Sequence, residues 1–422
     1  MVFRKINIIS KPILTLTLGT GISQAIPLLF SPLLTRLYSP REFGSFALYF
    51  SIITILSSFS TGKYEQALAI TKNKSEANQV LSLCFLISTF FSALVLLFVI
   101  SLNHYQFTFF EISILEEGIF LIPFGLLVSS WFQSLSYYLN KDGLYKEMSL
   151  SRILRSSFYV IFAITLSQLE KNYVLVVAEV IAYLIVVIYL VYIIRKSDYQ
   201  LPRLSNIHGV ALQYIGFPKF SILSGFVEKV SSQSPTFYFN NVLKNSEALG
   251  AFGFTYRIVA APIDLLSKSI GDVFRKNASD EYLQTGQAKL VFTANLKRLT
   301  ILSGITFIPA FFIVEDFFVL LFGENWSIAG YYAKLMIPLF ALQLIVSPLS
   351  TMFFIAQKQS LDLFLQLFLF ILLSTSFLLS FLYFKTIESA IIAYTLAYSI
   401  KYIIELILSY DFAKGDERAV KK

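Results

Sequence analysis

Residues 173–194 read YVLVVAEVIAYLIVVIYLVYII, flanked by Lys171 on one side and by Arg195 and Lys196 on the other. Glu179 is the one charged side chain in the run. About 20 apolar residues in a helix cross the ~30 Å hydrocarbon core of a bilayer, so this stretch predicts a membrane span. It is too long, and too uniformly apolar, for a barrel strand, which alternates with period two. Comparable runs occupy 12–34, 43–62, 79–102, 117–139, 153–168, 213–239, 250–271, 299–320, 331–355, 361–384 and 388–410. The run at 153–168 is the shortest. The pattern predicts an all-α polytopic membrane protein with about 12 transmembrane helices.

Composition agrees. Of 422 residues, 56% are hydrophobic and 14% charged, against roughly 25% charged in soluble proteins. This excludes a soluble enzyme, a disordered chain and a disulfide-built secreted domain. Cys84 is the single cysteine, so no intrachain disulfide can form. The net charge of +8 lies mostly in short loops, a topological signal, and no nucleic-acid partner is expected. With the N-terminus placed in the cytoplasm, inside segments hold 22 Lys and Arg residues and outside segments hold 5. That asymmetry predicts both termini in the cytoplasm. Residues 1–11 are basic, but the apolar stretch behind them is span-length, so it reads as the first span and not as a cleaved leader.

The halves look related. Ser23-Gln24 and Pro27 in span 1 correspond to Ser232-Gln233 and Pro235 in span 7, and Gly44-Ser45-Phe46-Ala47 corresponds to Gly250-Ala251-Phe252-Gly253. We expect two parallel six-helix bundles, 1–208 and 209–422, with a substrate site where such halves meet.

An ionisable group inside a span costs a few kcal/mol and so marks a candidate site. Span 7 carries Lys219, Glu228 and Lys229 among Ser221, Ser224, Ser231, Ser232 and Gln233. Steps of three and four residues gather Ser221, Ser224, Glu228, Ser231 and Pro235 on one face, with Gly225, Lys229 and Ser232 on the adjoining face, a broad polar surface. The functional reading is a water-filled cavity. The alternative is a Glu228/Lys229 pair buried between helices, although adjacent helix positions point about 100° apart. Span 8 carries Arg257, Asp264 and Lys268 on one stripe. Asp264 and Lys268 are spaced for an ion pair, which leaves Arg257 to meet a phosphate or to snorkel to the interface. Gln24 in span 1 lies on a face with Thr20, Pro27 and Ser31, either a matching lining or ordinary helix packing. Glu228, Asp264 and Glu179 are the candidate ion carriers, with Glu65, just past span 2, a further lone carboxylate. Gly19-Thr20-Gly21 lacks the context of a phosphate loop, and His104 and His208 are too far apart in sequence for a metal site, so no cofactor is expected.

Four stretches carry a resemblance. Tyr38-Ser39-Pro40-Arg41-Glu42-Phe43-Gly44 is followed by Lys63-Tyr64-Glu65-Gln66-Ala67. Gly216-Phe217-Pro218 is followed by Ser232-Gln233-Ser234-Pro235. Gly250-Ala251-Phe252 leads to Tyr256-Arg257, Pro262 and Val273-Phe274. Leu321-Phe322-Gly323-Glu324-Asn325-Trp326 leads to Ala329-Gly330, Ser347-Pro348-Leu349 and Lys358-Gln359. In order and spacing the chain resembles the bacterial oligosaccharide flippases that export O-antigen and capsule repeat units, relatives of the MATE-type drug exporters. The family often has Arg-Tyr-Glu where this chain has Lys63-Tyr64-Glu65. The resemblance implies a two-bundle transporter of the inner membrane. It implies a cargo of a short glycan linked through pyrophosphate to undecaprenol. Lys219, Lys229 and Arg257 would attract the pyrophosphate. Other implied partners are membrane lipids and the polysaccharide polymerase machinery.

Two rivals stay open. A MATE-type exporter of small cations should favour a cavity dominated by carboxylates. A membrane-embedded glycan polymerase or ligase should carry a sizeable outside loop with basic or His residues. The longest outside segment, 103–116, has one His and no Lys or Arg.

Overall fold

The computed structural model describes residues 11–104, 113–169, 171–196 and 204–415. Arg4, Lys5, the tail beyond 415, and parts of the loops at 103–116 and 195–212 lie outside the described residues. Among the described residues the structure is helical, without a strand. In chain order the helices are α1 (Lys11–Leu29), α2 (Ser31–Leu37), α3 (Pro40–Leu56), α4 (Lys74–His104), α5 (Leu121–Lys141), α6 (Tyr145–Thr165) and α7 (Val174–Lys196). Then come α8 (Leu204–Gln213), α9 (Gly216–Phe237), α10 (Ser246–Thr285), α11 (Lys289–Phe322), α12 (Ser327–Leu349), α13 (Met352–Ile355), α14 (Gln359–Leu379) and α15 (Ile387–Lys414). Each of the twelve expected spans falls on one of these helices or on a consecutive pair.

Among the described residues, nine segments are long and apolar enough to cross a bilayer by composition alone. The expected spans that fall short are α3, α6 and α9. Helix α3 is 17 residues long. Helix α6 carries Lys146, Glu147, Arg152 and Arg155, and α9 carries Lys219, Glu228 and Lys229. Helix α6 also begins eight residues before the expected 153, because its charges hid the first two turns from a hydropathy reading. Charges are retained in a span where protein or water meets them in place of lipid.

The chain divides into two compact units, Met1–Lys229 and Val230–Lys422. The division falls inside α9, later than the expected 208/209 junction. The first part of α9 belongs to the first unit: Phe226 lies against Phe59, with ring centroids 5.2 Å apart and the rings tilted at 56°.

In the first unit α1 packs on α6, α6 on α7, and α5 on both α4 and α7. Leu135, Tyr138, Leu139, Val186 and Leu190 fill the space between them. Polar side chains tie the helices at depth. The Tyr138 hydroxyl donates to Asn78 Oδ1 at 2.6 Å, and Ser130 Oγ donates to Ser60 Oγ at 2.7 Å. The Tyr38-to-Gly44 motif acquires a physical meaning here. Pro40 opens α3, the Ser39 backbone N–H donates to Glu42 Oε2 at 2.8 Å, and the Tyr38 hydroxyl donates to the Ala163 carbonyl at 2.5 Å. The motif therefore starts α3 and fastens that start to α6.

In the second unit α12 packs against α10, α11 and α15, while α14 lies on α15. Trp326, Tyr332, Met336 and Phe340 are fully buried along this contact. Gly330 allows α11 its close approach: a Cβ there would lie 2.9 Å from Phe318 Cβ and 3.0 Å from Glu315 Cα. Thr255 Oγ1 donates to the Ala329 carbonyl at 2.8 Å, joining α10 to the same point. The Ala329-Gly330 pair thus marks a three-helix contact.

Candidate functional site

Helix α3 stops at Leu56, and the chain does not leave the protein there. Serial turns carry it through Ser57-Ser58-Phe59-Ser60-Thr61, with Ser58 N–H donating to Ile55 O at 3.1 Å and Phe59 N–H to Leu56 O at 3.0 Å. Gly62 and Lys63 both adopt left-handed backbone, with φ of 61° and 60°. A 3₁₀ turn, Tyr64–Ile70, follows. Left-handed backbone costs a residue with a Cβ about 1–2 kcal/mol, so Lys63 is held there by its surroundings. Irregular backbone at membrane depth survives where protein or a wet cavity covers it, and Ser58, Ser60, Thr61, Lys63, Tyr64 and Glu65 are all buried.

Glu65 is wholly buried. It accepts from Thr61 Oγ1 at 2.5 Å and from Gln133 Nε2 at 3.0 Å. Those bonds occupy its two oxygens. Lys63 has no salt-bridge partner among the described residues, and its side chain runs to α9. A Cβ on Gly225 would lie 3.4 Å from both Lys63 Cε and Lys63 Nζ. One turn further along α9, Lys229 Nζ donates to Ser57 Oγ at 2.7 Å. Lys63, Glu228 and Glu65 all act electrostatically on Lys229. Of these Glu65 is tied up and Glu228 is exposed. The junction of α3 and α9 therefore holds two partly or fully buried ammonium groups and a serine hydroxyl, which suit an oxyanion with several acceptor oxygens.

The other predicted site residues fall elsewhere. Lys219 is exposed in the first turn of α9. Gln24 is exposed on α1. Gln233 is half-buried, with its Nε2 near Ser232 Oγ at 3.5 Å. Arg257 is half-buried on α10. The expected Asp264–Lys268 pair does not form. Asp264 instead accepts from Gln343 Nε2 on α12 at 2.8 Å, because Gln343 points at it across a packed helix pair while Lys268 is exposed. Glu179 pairs with Arg155 of α6 at 2.7 Å, and the Arg155 guanidinium lies 5.0 Å from the Tyr183 ring centroid.

Three features were not singled out from sequence. Arg152 Nη1 donates to Thr20 Oγ1 at 2.5 Å, joining α6 to α1. Lys63 reaches Gly225 from a distant part of the chain. Lys401 and Glu405 form a buried ion pair at 2.5 Å within α15. Their spacing of four was the signal that could have found the last.

Comparison with known proteins places this geometry in context. The polysaccharide biosynthesis protein family matches residues 33–330. No curated protein matches the sequence. Among solved structures, the chain is similar to an inward-facing multidrug resistance MATE family transporter of the MOP superfamily, at 13% identity and a TM-score of 0.71. That match covers 99% of this chain and 97% of the other. It is similar to the lipid II flippase MurJ in an inward closed conformation, at 12% identity and a TM-score of 0.69, covering 94% and 87%. It is also similar to the MATE multidrug transporter DinF-BH, at 15% identity and a TM-score of 0.67, covering 96% of each. The fold is thus that of the MATE-like multi-pass membrane transporters.

Proposed function

The chain belongs to the polysaccharide biosynthesis protein family, and we propose that within it this protein is a flippase and not an enzyme. Its cargo is an oligosaccharide repeat unit on undecaprenyl pyrophosphate, for O-antigen or a related surface polysaccharide. It carries that unit from the cytoplasmic to the periplasmic face of the inner membrane by alternating access, with both termini in the cytoplasm.

The observation that carries this reading is the placement of the Lys63 and Lys229 amines at adjacent turns of α9, Lys63 against Gly225 and Lys229 on Ser57. A pyrophosphate diester brings negative charge and several acceptor oxygens to a site with two amines and a hydroxyl. Charge-assisted bonds of this kind contribute about 1.5–3 kcal/mol each. The positive-inside count sets the end of α3 toward the cytoplasm, where lipid-linked units are assembled. Lys219 adds positive charge on the same helix, α9. A cationic drug would meet two ammonium groups here, which disfavours an exporter of small cations.

Binding of undecaprenyl pyrophosphate to the full chain in vesicles tests the reading. Lys63→Ala and Lys229→Ala should each weaken binding about tenfold or more. In cells they should leave lipid-linked units on the cytoplasmic face while the protein stays in the membrane. Unchanged binding in both variants would refute the assignment, and units accumulating on the periplasmic face would point to a polymerase or ligase.

A further inference from the structure

The second unit carries a groove that the cargo site does not use. Helices α11 and α12 part along it and leave a cavity of about 340 Å³, lined by Gly304, Phe307, Phe311, Ile337 and Ala341 among others. Ile305, Ile308 and Phe312 around it are 70%, 65% and 73% exposed. Inside a span such surface meets acyl chains, which are as apolar as the side chains themselves. Of the lining side chains only Ser303 is polar, and it donates from Oγ to the Ala341 carbonyl at 3.0 Å. That bond joins the helices at one end of the groove and keeps the wall apolar. At the other end Lys334 of α12 sits over Phe311, with Nζ 5.4 Å from the ring centroid. Lys334 pairs with Glu315 of α11 at 2.7 Å, yet both side chains stay accessible, 35% and 42% exposed. Asp316, next on α11, is exposed as well.

Charges persist in a span where something polar meets them. The Lys334–Glu315 pair lies about 10 Å from the end of α11 at Phe322, and the groove runs away from it toward the middle of the helix. Gly304 is a second and independent observation. A Cβ there would meet only Ile308 Cδ1, at 3.8 Å. Helix packing therefore does not require this glycine, in contrast to Gly330, where a Cβ would lie 2.9 Å from Phe318 Cβ. Glycine weakens the middle of a helix relative to alanine. What its missing side chain leaves open is the groove.

We propose that the groove between α11 and α12 is a binding site for one phosphatidylethanolamine of the bilayer. An acyl chain lies along Phe311, Phe307 and Gly304, the phosphate meets Lys334 and the ammonium meets Glu315. From Glu315 to Ser303 helix α11 rises about 18 Å, close to the ~15 Å of hydrocarbon in one leaflet, half of the ~30 Å core. Charge selects the head. A zwitterion with a phosphate and a primary ammonium matches a lysine and a glutamate one to one. The anionic head of phosphatidylglycerol would answer Lys334 and be repelled by Glu315 and Asp316. Phosphatidylcholine is a zwitterion, but its quaternary ammonium has no N–H to donate to a carboxylate. The pyrophosphate of the cargo would bring still more negative charge to a corner with two carboxylates and one amine. The occupant is thus a bilayer lipid, and the site is independent of the flippase reading.

Native mass spectrometry of the full chain in detergent tests this, with phosphatidylethanolamine, phosphatidylcholine or phosphatidylglycerol of identical acyl chains added in turn. The first phosphatidylethanolamine should bind about tenfold more tightly than either of the others. Changing Lys334→Gln and Glu315→Gln together removes both charges without leaving one alone, and should bring phosphatidylethanolamine down to the affinity of phosphatidylcholine. Gly304→Phe places a ring in the groove and should weaken all three lipids about tenfold. Gly304→Ala, whose Cβ has room, should change nothing. Equal binding of the three lipids by the wild type overturns the site. So does an unchanged affinity for phosphatidylethanolamine in Gly304→Phe. Displacement of phosphatidylethanolamine by undecaprenyl pyrophosphate, one for one, would give the groove to the cargo's tail and overturn it too.

Discussion

Lys63 lies along the bare face of Gly225: a Cβ on that glycine would sit 3.4 Å from the lysine amine. The glycine gives Lys63 room to end one turn from Lys229, whose own amine bonds Ser57. An added methyl is ordinary van der Waals contact with the mobile end of a side chain. A larger residue fills the space the amine occupies. Gly225→Ala should therefore keep undecaprenyl pyrophosphate binding, and Gly225→Leu should weaken it about tenfold, or about 1.4 kcal/mol, at an unchanged level of protein in the membrane. Equal affinities for the two variants would mean that the position of Lys63 does not matter.

Lys63 itself sits at φ 60° and ψ 11°, a conformation that glycine adopts freely. Its amine and its backbone can be separated by two substitutions. Lys63→Ala and Lys63→Gly both delete the charge, but alanine keeps a Cβ in left-handed backbone. Lys63→Gly should be the more stable of the two by about 1 kcal/mol, read from thermal unfolding in detergent, and both should bind pyrophosphate equally poorly. Identical midpoints would show that the turn relaxes and stores no strain.

Glu179 was expected to carry an ion, and the structure gives it a partner. Arg155 lies 2.7 Å away, with side-chain exposures of 26% for the arginine and 9% for the carboxylate. Removing one member leaves a poorly hydrated charge, which costs about 3 kcal/mol, and the partial exposure of Arg155 keeps the figure at the low end. Glu179→Ala and Arg155→Ala should each destabilise the protein by about that amount. The double change to Leu and Met should recover most of it in a double-mutant cycle. Full stability of Glu179→Ala, with transport lost, would support Glu179 as an ion carrier.

The apolar helices were legible because hydropathy is a local property: the run at 173–194 became α7, Val174–Lys196, within two residues. Helix α6 was cut short because Lys146, Glu147, Arg152 and Arg155 lower hydropathy without breaking the helix. What satisfies Arg155 lies on another helix, out of reach of a local reading. The same contrast holds at the site. Lys229 stood out because it interrupts an apolar run. The position of Lys63 depends on a left-handed turn, and on a glycine more than a hundred residues away, that no window of sequence connects to it. Asp264 was assigned its helical neighbour Lys268 by spacing alone. Packing gave it Gln343 because α10 and α12 lie side by side.

Helix α8, which leads into α9, is held to α4 through Glu76. This carboxylate accepts from Gln213 Nε2 at 2.8 Å, the Tyr214 hydroxyl at 3.0 Å and the Lys72 backbone N–H at 2.7 Å. Tyr64 adds a hydroxyl bond to the Ala211 carbonyl at 3.0 Å. Helix α8 and Tyr214 just beyond it are thus fastened to α4 and to the 3₁₀ turn that follows Lys63. Glu76→Ala removes three bonds at once, while the exposed surroundings let water replace them, so the global cost should stay near 1 kcal/mol. The local cost is larger. Amide hydrogen exchange should speed up about tenfold across 207–215 and stay unchanged in α5 and α7. Glu76→Gln keeps an acceptor for Tyr214 and should restore part of the protection. Uniform exchange across the first unit in Glu76→Ala would show that α8 is held by its apolar contacts, Ile207 and Val210 among them, and that the carboxylate is incidental.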